Sequence, residues 1–179
     1  MLEVNQTVLM VIDVQGKLAQ RMYDRAQLFA AQQRLIRGAQ VLGVPILWVE
    51  QNPSRMGKTI PELAALLAGQ APISKLSFGC CGEPAFMRRL EALGRRQVLL
   101  AGIETHVCVY QTAAALAGLG YEVQAVADAV SSRTLANRQI GLTRMRAAGA
   151  GVTSVETALF ELLGTAAHPA FKDLLKIVK

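Results

Sequence analysis

Short apolar runs alternate with longer segments of helical periodicity along this chain. The apolar runs have the length of buried strands, and the first is rich in β-branched residues. Strands are predicted at residues 7–14, 45–50, 71–75, 98–102, 121–126 and 151–154. Helices are predicted at residues 26–42, 59–67 (with Thr59 as N-cap), 83–93, 113–119, 137–148, 156–163 and 169–178. This alternation predicts βαβ units, and therefore an α/β fold with a six-stranded parallel sheet covered on both faces.

The composition agrees with one compact domain over residues 1–179. Hydrophobic residues make up 52% of the chain and charged residues 18%, whereas aromatic residues are only 5%. Such a chain has enough apolar material for a core. That core is mostly aliphatic, as is usual for helices packed on a parallel sheet.

The formal net charge of +6 raises the question of a nucleic-acid partner. The densest basic cluster lies on one predicted helix and its exit, at Arg88, Arg89, Arg95 and Arg96. No aromatic residues interleave with it, so we interpret it as a solvated face and expect no nucleic-acid partner. A basic surface also attracts anionic small molecules.

The cysteines and the apolar segments indicate a cytoplasmic protein. Three cysteines are too few for the disulfide framework of an extracellular domain, and Cys80 and Cys81 are adjacent. No apolar run reaches 18 residues, and no secretory signal pattern opens the sequence. We therefore expect no membrane partner.

Chemistry in a parallel α/β sheet is expected beyond the carboxyl ends of the strands, where the strand order reverses. Cys108 lies where the fourth strand gives way to a helix. Unpaired N–H groups and the helix dipole favour a thiolate there, which predicts a nucleophile with a lowered pKa. The alternative is a buried structural cysteine, since free cysteine is often buried.

Two other strand ends carry ionisable groups. Asp13 closes the first strand and Lys75 the third. We expect the strand order 3-2-1-4-5-6, the usual order of a doubly wound sheet. The first and fourth strands are then neighbours, so Asp13 would meet Cys108 and act as its base, with Lys75 stabilising both charges. In the alternatives, Asp13 caps a loop or helix, and Lys75 snorkels to the surface. No glycine-rich phosphate motif occurs, and no nucleotide cofactor is expected.

With these residues in place, the chain resembles the isochorismatase-like cysteine hydrolases over nearly its whole length. The shared segments are Asp13 with Gln15, Lys75-x-Ser77-Phe78, Gly102-Ile-x-Thr105-x-x-Cys108-Val109 with Thr112, and Gly120-Tyr121 with Asp128-Ala129. The resemblance implies a Rossmann-like three-layer α/β/α sandwich and a catalytic triad of Asp13, Lys75 and Cys108.

The resemblance also implies finer features of the site. It implies a non-proline cis peptide between Ile103 and Glu104, and an oxyanion hole formed by the N–H groups of Glu104 and Cys108. The residues that we assign to substrate binding are Gln15, Gln51, Phe78 and Thr105.

One departure concerns metal binding. Nicotinamidases of this family carry an Asp-x-His metal motif after the second strand, whereas residues 50–57 of this chain contain no histidine. The only histidines are His106, interpreted as a pocket-wall or surface residue, and His168. The chain therefore resembles the metal-free isochorismatase-domain branch, and we expect no metal and no other cofactor.

Vinyl-ether hydrolysis in this family needs no thiol nucleophile, whereas this chain carries Cys108. The cysteine therefore favours covalent hydrolysis of an amide or related C–N bond in a small molecule. Two alternatives stay open: an isochorismatase-type vinyl-ether hydrolase with Asp13 as the acid, and a catalytically silent binding protein of the same fold. The high apolar fraction favours a homo-oligomer, a dimer or a tetramer.

Overall fold

A computed structural model describes residues 1–179 and contains one six-stranded sheet. Its strands are β1 (Thr7–Ile12), β2 (Ile46–Gln51), β3 (Ile73–Lys75), β4 (Gln97–Ile103), β5 (Glu122–Ser131) and β6 (Gly151–Thr153). All neighbouring strands are parallel, in the order β3-β2-β1-β4-β5-β6. The predicted sheet and its strand order are therefore confirmed.

The helices lie on both faces of the sheet. They are α1 (Gly16–Ala19), α2 (Arg25–Val41), α3 (Pro53–Met56), α4 (Pro61–Ala64), α5 (Pro84–Ala92), α6 (Tyr110–Gly118), α7 (Leu135–Ala147), α8 (Val155–Leu163) and α9 (Phe171–Val178). A 3₁₀ turn, Ala65–Leu67, extends α4, and a second one, Cys80–Gly82, precedes α5. None of the helices has the length and apolarity needed to cross a lipid bilayer.

The alternation of side chains along β1 divides the core into two halves. Leu9 and Val11 pack with residues of α2, α4, α8 and α9, whereas Met10 and Ile12 pack with residues of α5, α6 and α7. Every residue of β1 is buried, because successive side chains of a central parallel strand point into opposite helical layers. The result is the three-layer sandwich that the sequence predicts.

Three local features differ from the sequence prediction. β5 continues to Ser131, and its pairing with β4 shifts between Leu100 and Gly102. The N-cap prediction for Thr59 is wrong, since Ile60 holds that position and the Thr59 hydroxyl donates to Glu50 Oε1 at 2.8 Å. The single-turn helices α1 and α3 were not predicted, because four residues are too few to give a helical period.

The carboxyl ends of β1 and β4 lie against each other closely. Gly102 pairs with Ile12 and has a φ of +132°, and a Cβ at Gly102 would collide with the Ile12 backbone. Only glycine fits this conformation and this approach. The segments that follow the two strands, one carrying Asp13 and the other Cys108, therefore leave the sheet side by side.

Candidate active site

Lys75 is fully buried, and its ammonium group is held by four oxygens. Its Nζ lies 2.7 Å from Asp13 Oδ2 and 2.7 Å from Gln51 Oε1. The carbonyl oxygens of Ser77 and Phe78 accept from it at 3.1 and 2.9 Å. The alternative that Lys75 snorkels to solvent is therefore wrong. A buried ammonium needs such partners to offset its desolvation, and here a carboxylate is one of them.

Asp13 follows β1 in a left-handed backbone conformation, with φ at 55°. Its Oδ2 pairs with Lys75, whereas its Oδ1 is buried and has no hydrogen-bond partner. Burial raises the pKa of Asp13, and the nearby Lys75 charge opposes that rise. A carboxylate with one oxygen anchored and the other free is suited to accept a proton.

Cys108 lies in a π-helical turn, Thr105–Val109, that joins β4 to α6. The thiol lines a cavity that Asp13 also lines, and the residue is 8% exposed. The expectation of a lowered pKa is wrong: burial raises the pKa of Cys108, and the Asp13 carboxylate raises it further. Lys75 favours the thiolate but does not outweigh both effects. Cys108 is therefore a thiol at rest, beside a carboxylate.

Thr112 connects the turn that carries Cys108 to the segment after β3. Its Oγ1 donates to the Cys108 carbonyl at 2.7 Å and accepts from the Cys80 N–H at 3.0 Å. Burial raises the pKa of Cys80 to about 12 and that of Cys81 to about 11. Cys80 is fully buried, and neither of these two cysteines lines the cavity. They have the surroundings of packing residues.

Glu104 stands between β4 and the π-helical turn. The peptide bond between Ile103 and Glu104 is cis. The Glu104 carboxylate accepts from the backbone N–H and from Nε of Arg133, at 3.0 and 3.1 Å, which ties the turn to the end of β5. The Glu104 N–H donates to no group of the protein, so it is free to donate to a ligand.

The cavity has a volume of about 270 Å³. Of the four residues predicted to bind substrate, Gln15, Gln51 and Phe78 line it and Thr105 does not. Thr105 is instead fully buried against α7, where Gly141 lies close to its carbonyl group.

The two glutamine side chains of the wall already have partners within the protein. Gln15 Nε2 donates to the carbonyl oxygens of Gln51 and Gly57, at 3.0 and 2.6 Å, and its Oε1 accepts from the Gln51 N–H. Gln51 Nε2 donates to the Leu76 carbonyl at 2.8 Å, while its Oε1 accepts from Lys75. Both amides therefore brace the cavity wall, and Gln51 also holds the Lys75 ammonium group.

Six residues of the cavity wall were not assigned from the sequence: Leu18, Asn52, Arg55, Met56, Ile103 (named only for its peptide bond) and Val107. Two of them, Arg55 and Met56, belong to the unpredicted turn α3, whose position depends on contacts with distant segments. The one signal in the sequence was that residues 50–57 follow a strand of the catalytic edge.

Metal-binding side chains do not gather in this structure. No group of three or more His, Cys, Asp or Glu side chains is arranged to hold a metal ion. His106 does not line the cavity, and its Nδ1 lies 3.0 Å from Ser132 Oγ. The residues present therefore do not fit a metal centre of the nicotinamidase type.

Known proteins resemble this chain in sequence and in fold. The isochorismatase domain family matches residues 7–157. Isochorismatase domain-containing protein 2 of Bos taurus is 38% identical over 174 residues, which cover 97% of this chain and 83% of the relative. The structure of MAR1 ribonuclease from Caenorhabditis elegans matches with a TM-score of 0.93 at 35% identity, covering 99% of this chain and 91% of that one. The YcaC gene product of Escherichia coli, described as an octameric hydrolase of unknown specificity, shares the fold with a TM-score of 0.88 at 22% identity, covering 98% and 94%. This chain therefore belongs to the isochorismatase family.

Proposed function

We propose that this chain is a cysteine hydrolase that cleaves an amide or related C–N bond of a small molecule through a thioester on Cys108. The observation that carries the proposal is the asymmetric Asp13 carboxylate. Its Oδ2 is held by Lys75 at 2.7 Å, while its buried Oδ1 is free in the wall of the cavity that Cys108 also lines. A nucleophile, its base and an orienting cation are thereby grouped at one sheet edge.

In the first half of the reaction, the Cys108 sulfur attacks the carbonyl carbon and the thiol proton moves to Asp13 Oδ1. The raised pKa of Cys108 means that proton transfer accompanies attack, rather than preceding it. The carbonyl π electrons move onto oxygen, and the free N–H of Glu104 is a donor for that oxyanion, with the N–H of Cys108 proposed as the second. The C–N bond then breaks, and the leaving nitrogen takes the proton from Asp13.

In the second half, water hydrolyses the thioester. The water oxygen bonds to the carbonyl carbon while Asp13 accepts a proton from the water. The C–S bond then breaks, and the Cys108 sulfur takes that proton from Asp13 to become a thiol again. The products are a carboxylic acid and an amine. Lys75 holds Asp13 Oδ2 in place in both halves, and its charge favours the return of Asp13 to the carboxylate after each proton transfer.

A second candidate is hydrolysis of a vinyl ether, with Asp13 as the general acid and Cys108 incidental. One observation favours it: burial raises the pKa of Asp13, which stabilises the protonated form that such an acid needs. The candidates differ in their dependence on Cys108.

The test is intact-mass spectrometry of the protein incubated with a panel of amides and ureides. We expect an acyl adduct on Cys108 with at least one of them, no adduct in Cys108→Ala, and abolished turnover in that variant. Near-wild-type turnover by Cys108→Ala would reject the thioester and favour the vinyl-ether reaction. RNA belongs in the panel, since the nematode relative is named a ribonuclease. Its cleavage would contradict a small-molecule substrate.

The single-domain assignment over residues 1–179, a cytoplasmic location and a homo-oligomer are further parts of this proposal. The three cysteines are unpaired, as is usual in a reducing compartment. Leu76 and Phe78, which follow β3, are 74% and 57% exposed, and Phe78 lines the cavity. Exposed apolar side chains at that position favour contact with a second copy of the chain.

A further inference from the structure

Arg55 is a charged residue of the cavity wall that the proposed mechanism leaves without a role. It lies in α3, its side chain is exposed, and its guanidinium group makes no hydrogen bond or ion pair within the protein. The other charged side chains of the wall are both matched: Asp13 by Lys75, and Glu104 by Arg133. Arg55 therefore contributes an unbalanced positive charge to the cavity.

The turn that carries Arg55 is held in place by the same network that holds the triad. The Asn52 N–H donates to the Lys75 carbonyl at 2.9 Å, at the start of the turn. At its end, the Gly57 carbonyl accepts from Gln15 Nε2 at 2.6 Å. The turn is thus anchored to both β3 and the segment after β1. These two anchors fix the backbone position of Arg55 beside the cavity.

Lys75 cannot substitute for Arg55 as an anion receptor. Its ammonium group already has four oxygen partners, including the Asp13 carboxylate, and it is fully buried. The remaining wall is largely apolar, with Leu18, Met56 and Val107 among its residues. The cavity therefore combines an apolar body, one available cation and the proposed reaction centre.

We propose that Arg55 determines substrate class by binding an anionic group of the substrate, most simply a carboxylate. The expected substrate has a scissile carbonyl at one end, a short apolar body and a carboxylate at the other end. A guanidinium group suits this task, because its planar fork donates two parallel hydrogen bonds to a carboxylate. This inference rests on the proposed function, since it takes Cys108 as the reacting group.

The test uses N-acryloylglycine, N-acryloyl-β-alanine and N-acryloyl-γ-aminobutyrate, each beside its methyl ester. The Cys108 sulfur bonds to the β-carbon of the acryloyl group, and the thiol proton ends on the α-carbon. Rates against probe concentration are read by intact mass and peptide mapping. The ester removes the charge and adds one methyl group, so the ratio of acid to ester rates, compared between the wild type and Arg55→Gln, reports recognition of the carboxylate by Arg55.

For at least one chain length we expect the wild type to react about tenfold or more faster with the acid than with its ester, with saturation. The preference should vanish in Arg55→Gln and persist in part in Arg55→Lys. Lys58→Gln is the matched control: it removes a nearby exposed charge outside the cavity wall and should keep the preference.

Two results would overturn the inference while leaving the proposed function standing. One is a ratio of acid to ester labelling rates at Cys108 that is the same in Arg55→Gln as in the wild type. The other is an equal loss of the preference for the acid in Lys58→Gln. Labelling of Cys108 by none of the probes, with Cys81 reacting in the same sample, would contradict the proposed nucleophile and with it the inference.

Discussion

The two oxygens of Asp13 have different surroundings, and this difference bears directly on the protonation of Cys108. Asp13 Oδ2 is held by Lys75, and Oδ1 is free. Burial and the Asp13 charge keep Cys108 a thiol. We therefore expect Cys108 to react only when a base takes its proton, in contrast to a cysteine that rests as a thiolate.

This arrangement predicts the pH dependence of Cys108 alkylation by iodoacetamide. The Asp13 pKa lies above its usual range because of burial, so reactivity is lost as the pH falls through that raised pKa and recovers as the carboxylate ionises. In Asp13→Asn we expect reactivity to rise only at alkaline pH, where the thiol itself ionises. The measurement is the alkylation rate by peptide mapping from acid to alkaline pH.

Cys81 is the internal control in that measurement. Burial raises its pKa to about 11, and Asp13 is not among the groups that shift it. Its profile should therefore be the same in the wild type and in Asp13→Asn. An identical Cys108 profile in the two proteins would contradict the role of Asp13 as the base.

The Lys75–Asp13 pair predicts a large effect on stability. Lys75→Met leaves Asp13 buried without its cation, a change that typically costs about 3–5 kcal/mol of unfolding free energy. The exposed pair of Lys176 with Asp173 is the matched control, and Lys176→Met should change stability little. Urea denaturation measures both variants.

A further variant separates loss of packing from loss of charge balance. Asp13→Asn/Lys75→Met should recover part of the stability that Lys75→Met loses, because the buried carboxylate is then absent. If the double variant were no more stable than Lys75→Met, the buried pair would not be the cause. The alkylation rate of Cys108 should stay low in both variants.

Among the elements of the fold, β4, β5 and α7 hold the turn that carries Cys108, the proposed nucleophile. Glu104 ties the turn to Arg133 at the end of β5. The Thr112 hydroxyl links the Cys108 carbonyl to the Cys80 N–H. The third contact is with α7, where a Cβ on Gly141 would lie 2.6 Å from the Thr105 carbonyl group. The turn therefore has little room to move.

Gly141→Ala should displace this turn. We expect the rate of Cys108 alkylation, and of turnover once a substrate is known, to fall about 10- to 100-fold, since small misplacements of a reacting group have effects of this size. Gly118→Ala is the matched control, because it is also helical and a Cβ there meets nothing within 4 Å. That variant should react at the wild-type rate. Equal rates in both variants would show that α7 does not position the nucleophile.

At the scale of the whole molecule, the exposed apolar side chains beside the cavity predict self-association. Size-exclusion chromatography with light scattering should give a mass above that of one chain for the wild type. Leu76→Ser removes an apolar side chain that is 74% exposed, and should lower the mass at a given concentration. Leu119→Ser is the control: this side chain is 54% exposed and lies outside the cavity wall, so the variant should have the wild-type mass. An unchanged mass in Leu76→Ser would contradict this interface.

The fold class and the sheet edge where chemistry was to be sought follow from the amino-acid sequence, whereas the strand order was taken as the usual one for a doubly wound sheet. Strand periodicity and helical periodicity are local properties, and parallel strands put their carboxyl ends at one edge whatever the loops do. The boundaries of β1, β2 and β4 differ from the prediction by at most two residues at either end. Asp13, Lys75 and Cys108 were assigned on this basis, with the family resemblance adding the triad.

The electrostatics and the wall of the site depend on contacts between segments that are distant in the sequence. The dipole argument for Cys108 considered only its own segment, whereas burial and the Asp13 carboxylate come from other segments and reverse the direction of its pKa shift. The complete burial of Lys75 and the place of Arg55 in the wall likewise depend on contacts between β2, β3 and the segments that follow them. Desolvation is set by everything packed around a group, and no local pattern contains that information.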